Sequence, residues 1–373
     1  MKHFALLATT LAVLSCGGSE PSVTDSEPVA VESGTAMLQI EVEIGVELGD
    51  SNFVFGITQD VDFTPDGNVA ILDAQRKKVK LFSPAGDFLG EFGGEGEAPG
   101  EFLHPRGIAC LNDGRIAVTD PFSREIEVFG SDLQYLETVS DFAARAPFVI
   151  TAAGNGFAGE QMGLNRNTGI ATISVVLWDH NPDSAQVFSE IENSFSPDEV
   201  IQRVMQPTAG LTADSINLYY SAPLSEEYVV SVYPMDSSEP YNLTYPDYSP
   251  VEKTAEDIEE DLLAYEYRMQ GMASTGRGRR LAGATYEPPP DYYATSSLGV
   301  DSQGNIWVQR GWETNPTFDL FPPGATEPAE TVIADPELNL SSYTFVITQN
   351  GFAAFDSNPE DYPRVLLLHL SGQ

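Results

Sequence analysis

Six side chains recur eight residues ahead of a turn glycine, or of the residue in its place: Gln59, Arg106, Phe148, Pro207, Ser296 and Tyr343. Asp60, His104 and Thr344 stand close by in the chain. Together they supply a guanidinium, an imidazole, a carboxylate, amide and hydroxyl groups and two aromatic rings. That mixture suits recognition of a polar small molecule, a peptide or a glycan at a place where loops converge. It makes a poor metal cage, which gathers several carboxylates or imidazoles on one ion.

Other chemistries find less support. The four histidines, His3, His104, His180 and His369, show no ligand spacing. No Gly-x-Ser-x-Gly nucleophile motif is present. Gly93 to Gly100 is glycine-rich, but it leads into no helix and carries Glu95 and Glu97, so it reads as a flexible connection rather than a phosphate cradle. Asp73, Asp120 and Asp356 recur at one structural position, with Ser221 and Arg310 in the same place elsewhere. An aspartate there caps the turn that follows. Arg76 to Lys80 reads as a solvated turn and strand face. Cys110, between Ala109 and Leu111, reads as a small buried hydrophobe. Arg277, Arg279 and Arg280 form the densest arginine cluster. They would grip a carboxylate or phosphate, or pair with the chain's own acidic surface.

The elements that must position these groups are repeats. Val61 to Asp73 reads strand, Asp66-Gly67 turn, strand, acidic stop, and Ile108 to Asp120 repeats it 47 residues later. Asp-Gly and Asn-Gly close tight hairpins. Further copies surround Asn155-Gly156, Asp214-Ser215, Gln303-Gly304 and Asn350-Gly351, making six. The first two copies continue into a third and a fourth strand, over Val79 to Gly90 and Ile126 to Leu136. A period of about 40–50 residues with four strands per unit predicts a β-propeller. The last copy has only three clear strands, and Leu38 to Leu48, which alternates with period two, is expected to complete it and close the ring. The expected fold is all-β: six four-stranded antiparallel blades, with one helical insertion at about 251–290 between blades 4 and 5. In that insertion Thr254 and Asp257 resemble a capping box. Ile258, Leu262, Tyr265, Met269 and Met272 then follow helical spacing over about five turns. The expected partner of its apolar stripe is the propeller face. The ring of residues above then falls at one mouth of the central channel. Gln59, Asp60, His104, Arg106, Phe148, Ser296 and Tyr343 are its ligand-binding candidates, with Arg277, Arg279 and Arg280 as candidates on the insertion.

His104-Pro105-Arg106-Gly107-Ile108-Ala109, ahead of an Asp-Gly turn, resembles the phrase of NHL-type six-bladed propellers. Tyr245-Pro246-Asp247-Tyr248-Ser249-Pro250-Val251 and the stretch from Asn305-Ile306-Trp307-Val308 to Phe318-Asp319-Leu320-Phe321 are similar to bacterial lipoproteins known as six-bladed β-propeller proteins. The resemblance covers about residues 39–371 and implies a fold without a general activity. Related propellers that resemble gluconolactonases and peptide-amidating lyases hold a metal on the channel axis. By that resemblance the candidates here are Asp60, Asp62, His104 and Arg106, which gives the alternative reading of a lactonase-like, metal-dependent hydrolase or lyase.

Phe4 to Leu14 is an apolar segment behind Lys2, too short to span a bilayer, and Val13-Leu14-Ser15-Cys16 resembles a lipobox. Residues 1–15 are therefore expected to be a lipoprotein signal peptide and Cys16 the lipidated residue. Residues 16–37 form a flexible acidic tether, and residues 38–373 the propeller. Gly17, rather than Asp, follows the cysteine. That points to the outer membrane of the bacterial envelope, on its periplasmic or surface face. With 56 acidic and 18 basic residues the formal net charge is −38, which repels nucleic acid and anionic headgroups. The expected protein is a monomeric binding or scaffold module for a protein, peptide or glycan partner, touching the membrane through its lipid alone. No catalysis and no cofactor are inferred, with calcium or another divalent ion left open.

Overall fold

A residue at positive φ costs glycine little, and the chain uses this to turn back on itself. Gly67, Gly114 and Gly304 have φ of 79°, 88° and 80°. Around the first, β2 (Thr58–Phe63) pairs antiparallel with β3 (Val69–Asp73), Phe63 opposite Val69. β4 (Lys78–Phe82) and β5 (Phe88–Gly93) extend that sheet outwards. β6 (Gly107–Cys110), β7 (Ile116–Asp120), β8 (Glu125–Phe129) and β9 (Tyr135–Val139) repeat the plan. β10 (Ile150–Ala153), β11 (Gly156–Asn165), β12 (Ile170–Trp178) and β13 (Gln186–Ser194) form a third sheet with longer outer strands. A fourth contains β14 (Gly210–Ala213), β15 (Asn217–Ser221), β16 (Val229–Pro234) and β17 (Tyr241–Thr244).

The computed structural model describes residues 36–373 apart from 141, 143, 144, 166, 179–184, 195, 208, 273–280, 282, 358, 360, 372 and 373. The expected signal peptide, nearly all of the tether, Cys16 and the arginines Arg277, Arg279 and Arg280 lie outside the described residues.

A fifth sheet has eight strands. β18 (Thr295–Val300), β19 (Ile306–Arg310), β20 (Thr317–Phe321) and β21 (Glu330–Ala334) make one antiparallel run. β22 (Thr344–Thr348), β23 (Gly351–Phe355) and β24 (Val365–Ser371) make another, which β1 (Met37–Ile44) completes with Ile40 opposite Leu368. β1 also meets β21 in parallel, at Met37 and Leu38. The innermost strands β2, β6, β10, β14, β18 and β22 contact one another in succession, and β22 contacts β2.

The core lies between neighbouring sheets, not at one centre. Val79 and Phe92 of the first sheet pack with Ile108, Val118 and Phe129 of the second. Trp307 and Phe318 pack with Phe345 and Leu366 across the two halves of the eight-stranded sheet. Val61 and Phe82 close the circle against Phe355 and Val365. Burying each large apolar side chain contributes roughly 1.5–3 kcal/mol. This is an all-β propeller with helices confined to its connections.

Four local expectations need correction. Among the described residues two α-helices are present instead of one. α1 (Pro197–Met205) precedes β14, and α2 (Ala255–Met272) lies in the expected insertion. Ser196 and Glu199 form a reciprocal capping box on α1: Glu199 N donates to Ser196 Oγ at 3.1 Å, and Ser196 N to Glu199 Oε2 at 2.9 Å. Thr254 and Asp257 do the same for α2. Tyr265 and Met269 of α2 pack with Ile201 of α1 and with Leu281 and Tyr286, so its apolar contact is another helix and the return segment.

Lys80 is not solvated. Its side chain is buried at 1% exposure, and Nζ donates to the carbonyls of Ser51, Asn52 and Val54 at 2.7, 3.0 and 3.1 Å. It thereby ties down the β1–β2 connection. The Gly93 to Gly100 connection is held as well. Gly96 N and Phe102 N make backbone bonds across it, and Gly100 N donates to Glu127 at 3.1 Å.

Candidate functional site

The loops at the starts of the innermost strands are shaped by buried polar side chains. Asp73 accepts from Gly56 N at 2.8 Å and from Arg76 N at 3.0 Å. Asp120, its counterpart, accepts from Leu103 N at 2.8 Å, His104 N at 2.7 Å and Ser123 N at 3.2 Å. A carboxylate that collects three N–H groups fixes two chain segments at once. Thr119 Oγ1 donates to Pro147 O at 2.6 Å and sets the next loop. A Cβ on Gly107 would stand 3.0 Å from Phe148 O, so the backbone approaches closely there.

On this frame sits a cationic and aromatic group. Arg106 Nη1 donates to Gln59 Oε1 at 3.1 Å, across from the first sheet to the second. His104 is exposed, and its ring meets Phe122 edge-on with 5.5 Å between centroids. Phe122 meets Phe148 at 5.8 Å and 90°. The Arg145 guanidinium lies 5.4 Å from the centroid of Phe122, within cation–π range. Burial pushes the Arg106 guanidinium below its ordinary value; Asp120 opposes this and the Arg268 charge on α2 adds to it.

The structure thus joins Gln59 with Arg106, and His104 with Phe148 through Phe122. The other expected members join neither group by a hydrogen bond or ring contact among the described residues. Ser296 is exposed at a bulge in the start of β18, and Pro207 is exposed beyond α1. The Tyr343 hydroxyl accepts from Arg364 Nε at 3.1 Å. Phe122 and Arg145 were not anticipated. Phe122 occupies, 47 residues on, the place of Gln75 in the first repeat, two residues past the capping aspartate. An aromatic replacing a polar turn residue was the available signal.

Asp60 and Asp62 sit further along β2 and bridge the first two sheets. Asp60 Oδ2 accepts from Ile108 N at 3.0 Å and Asp62 Oδ2 from Cys110 N at 2.7 Å. Their other oxygens accept from Val61 N and Phe63 N. Burial raises both carboxyls to about 7, against the lowering effect of these N–H groups. Burial, with Asp62 and Asp60 nearby, also pushes the Cys110 thiol well up. At the far end, where the innermost hairpins turn, lies a cavity of about 200 Å³. Asp62, Cys110, Asn112, Thr212, Asp214 and Asn350 help to line it.

Among the described residues, no three His, Cys, Asp or Glu side chains gather as a metal site would require. Asp60 and Asp62 are engaged with backbone N–H groups, and His104 stands beside Phe122. The set Asp60, Asp62, His104 and Arg106 does not fit a metal on the channel axis.

No known family profile matches the chain. Over 63 residues, 17% of its length, it is 33% identical to the human E3 ubiquitin-protein ligase NHLRC1. The matched stretch spans 16% of that ligase. Among solved structures it is similar to an exported protein from Bacteroides fragilis, with a TM-score of 0.51, 12% identity, and coverage of 90% of this chain and 96% of that one. A member of the DUF4221 family from Bacteroides vulgatus gives a TM-score of 0.50 at 7% identity, covering 91% of this chain and 99% of the other. The chain is a β-propeller with NHL-like and other propeller-type neighbours. Likeness at such identity carries the fold and not an activity.

The two helices stand on connections between sheets at the same end as the cationic group. α1 leads into β14, and α2 lies between β17 and β18. The neck of the α2 insertion is closed by Lys253 N donating to Pro290 O at 2.8 Å and Tyr292 N to Val251 O at 2.9 Å. Tyr292 hydroxyl donates to Asp257 at 2.6 Å. Among the described residues no helix is long and apolar enough to cross a membrane.

Proposed function

We propose that this chain is a six-bladed, NHL-type propeller of the bacterial envelope. It is anchored by a lipid on Cys16 and binds a protein, peptide or glycan partner at the loop end of its channel. The eight-stranded sheet counts as two blades in this reading, because its halves are joined as strands only by the two-residue pairing at Met37 and Leu38. The observation that carries the binding role is the convergence of Arg106, Gln59, His104, Phe122, Phe148 and Arg145. They come from β2 and three connections, β5–β6, β7–β8 and β9–β10. They form two contact groups, Gln59 with Arg106 and Phe122 with His104, Phe148 and Arg145, which this reading takes as one mouth on a backbone held by buried aspartates. Exposed chemistry on an ordered frame is what a recognition surface needs. The metal-dependent hydrolase or lyase reading lacks a gathered ligand set among the described residues.

Thermal unfolding of the purified protein tests this. It is run with EDTA, with calcium, with zinc, and with panels of lactones, neutral and acidic oligosaccharides, and peptides. A ligand of the folded state raises the melting point with its occupancy. The expected result is a shift with one oligosaccharide or peptide that Arg106→Gln abolishes. A stoichiometric metal shift lost in Asp60→Ala overturns the reading in favour of the metal enzyme. Labelling by radioactive palmitate, lost in Cys16→Ser, tests the anchor.

A further inference from the structure

In a chain with 56 acidic and 18 basic residues, a cation outside any salt bridge occupies an unusual position. Arg76 pairs with Asp73, Arg115 with Asp113, Arg203 with Glu160, Arg310 with Asp319 and Arg364 with Asp361. Arg106 and Arg145 do otherwise: one donates to the Gln59 amide, and the other lies over the Phe122 ring. Neither makes a salt bridge among the described residues, although Asp120 lies close enough to Arg106 to offset part of its charge. Both stand at the same mouth, and Arg268 of α2 lies close enough to Arg106 to oppose its charge. Under Arg145 is an apolar wall: Phe122, a large side chain left 42% exposed, with Phe148 against it, and the Phe148 carbonyl lies against Gly107, next to Arg106 in the chain.

We infer that this mouth recognises a carboxylate set beside an apolar group, and that its ligand is the C-terminus of a peptide ending in an apolar residue. The inference rests on the proposed reading that the loop end is the binding site. A guanidinium holds a carboxylate through two parallel N–H bonds, and Arg106 has donors left after Gln59. A carboxylate near Arg106 also relieves the repulsion from Arg268. A terminal carboxylate lies within one residue of its own side chain, so a single chain end reaches both the arginines and the Phe122–Phe148 wall. The Gln59 amide, already oriented by Arg106, presents its N–H groups to the same ligand.

Calorimetric titration of the full-length protein in detergent provides the test. The probes are the acetylated tripeptide Ala-Ala-Phe as free acid and as amide, and phenylpropionate as a free small acid. The free peptide acid is expected to bind about tenfold tighter than the amide, since a charge-assisted contact is roughly twice as strong as a neutral one. Arg106→Gln and Arg145→Gln are each expected to erase most of that preference. Arg145 is exposed in a loop, so its variant keeps the test independent of folding. Acid and amide binding alike, both weakened by Arg106→Gln, would overturn carboxylate recognition and leave the mouth as the site. Phenylpropionate binding as tightly as the peptide would overturn the peptide assignment in favour of a free acid. No heat from any of the three, with a melting shift from a neutral oligosaccharide lost in Arg106→Gln, would overturn this inference alone. No response from the mouth to any probe would overturn both.

Discussion

The two ends of the channel are made from the same strands and are held in different ways. At the turn end, short hairpins close on glycines, and the lining mixes carboxylate, amide and hydroxyl groups with Phe63, Cys110 and Val300. At the loop end, the connections are longer and their backbone hangs on buried side chains: Asp73, Asp120, Thr119 and Lys80. A turn fixed by its own φ angles needs no partner, so its variation is confined to a few residues. A loop fixed from below can change its exposed residues without losing its shape. Here Arg106, Arg145, His104 and Phe122 take that freedom, and the cations of the mouth stand above acidic supports.

The contrast breaks most sharply at Asp120. Replacing it by Ala leaves the N–H groups of Leu103, His104 and Ser123 without their acceptor. With about 1–3 kcal/mol for each buried donor and some water entering the loop, the loss is about 3 kcal/mol or more. Asp66→Ala, on an exposed turn at the other end, is expected to stay within about 0.5 kcal/mol. Denaturant unfolding of the two variants decides. Equal costs would show that the ends are supported alike.

Asp60 and Asp62 lie between the two ends and offer a pH test. Both carboxyls are raised from 3.8 to about 7 in the folded protein. The folded state therefore holds more protons than the unfolded chain between those values. Their contribution is fully present near pH 4 and is lost as pH rises to about 7. The melting point is expected to fall over that window, and less steeply in Asp62→Asn than in Asp66→Asn, which serves as a surface control. High salt in every sample damps the self-repulsion of the acidic chain. Parallel slopes would mean that the channel carboxyls ionise as ordinary surface groups do.

At the turn end two glycines separate backbone conformation from close packing. Gly114 has φ of 88°, and an added Cβ would meet nothing closer than Ser131 Cβ at 3.5 Å. Gly114→Ala is thus expected to cost only the left-handed penalty, about 1–2 kcal/mol. Gly351 sits in the corresponding place for a different reason, since a Cβ there would stand 2.4 Å from the Phe63 ring. Gly351→Ala should cost more than Gly114→Ala by equilibrium unfolding, and the reverse order would contradict this division.

How far the sequence could be read follows the same division. Hairpins announce themselves locally, because Asp-Gly between apolar runs needs no distant partner. The repeats, the Asp73 and Asp120 positions, and the N-terminal strand that pairs with β24 were legible on that basis. α1 carried a legible signal too, in Ser196-Pro197-Asp198-Glu199, but its surroundings offered no long apolar period to draw attention. Lys80 misled because a lysine among lysines reads as solvent-facing. Its burial depends on three carbonyls of a loop about thirty residues earlier, which no local pattern records. The mouth was legible as a register position and not as a set of contacts. Counting back from the turns found Gln59, Arg106 and Phe148, whereas Phe122 and Arg145 reach the same place from connections with no fixed register to it.

The smallest expected effect bears most directly on what the loop end is for. A residue kept for stability costs stability when removed. Arg106→Gln and Arg145→Gln give up one amide contact and one ring contact, and no ion pair among the described residues. Removing Arg106 also relieves its repulsion from Arg268. Each variant should unfold within about 0.5 kcal/mol of the parent. Arg310→Gln makes the contrast. Its guanidinium donates to the buried Asp319 at 2.8 and 3.0 Å, and that carboxylate also accepts from Tyr228 at 2.9 Å. Breaking a buried pair leaves a charge uncompensated and costs about 3–5 kcal/mol. If Arg106→Gln proved as damaging as Arg310→Gln, the mouth arginines would be part of the scaffold. If it is silent in folding, their place opposite an apolar wall asks for a ligand.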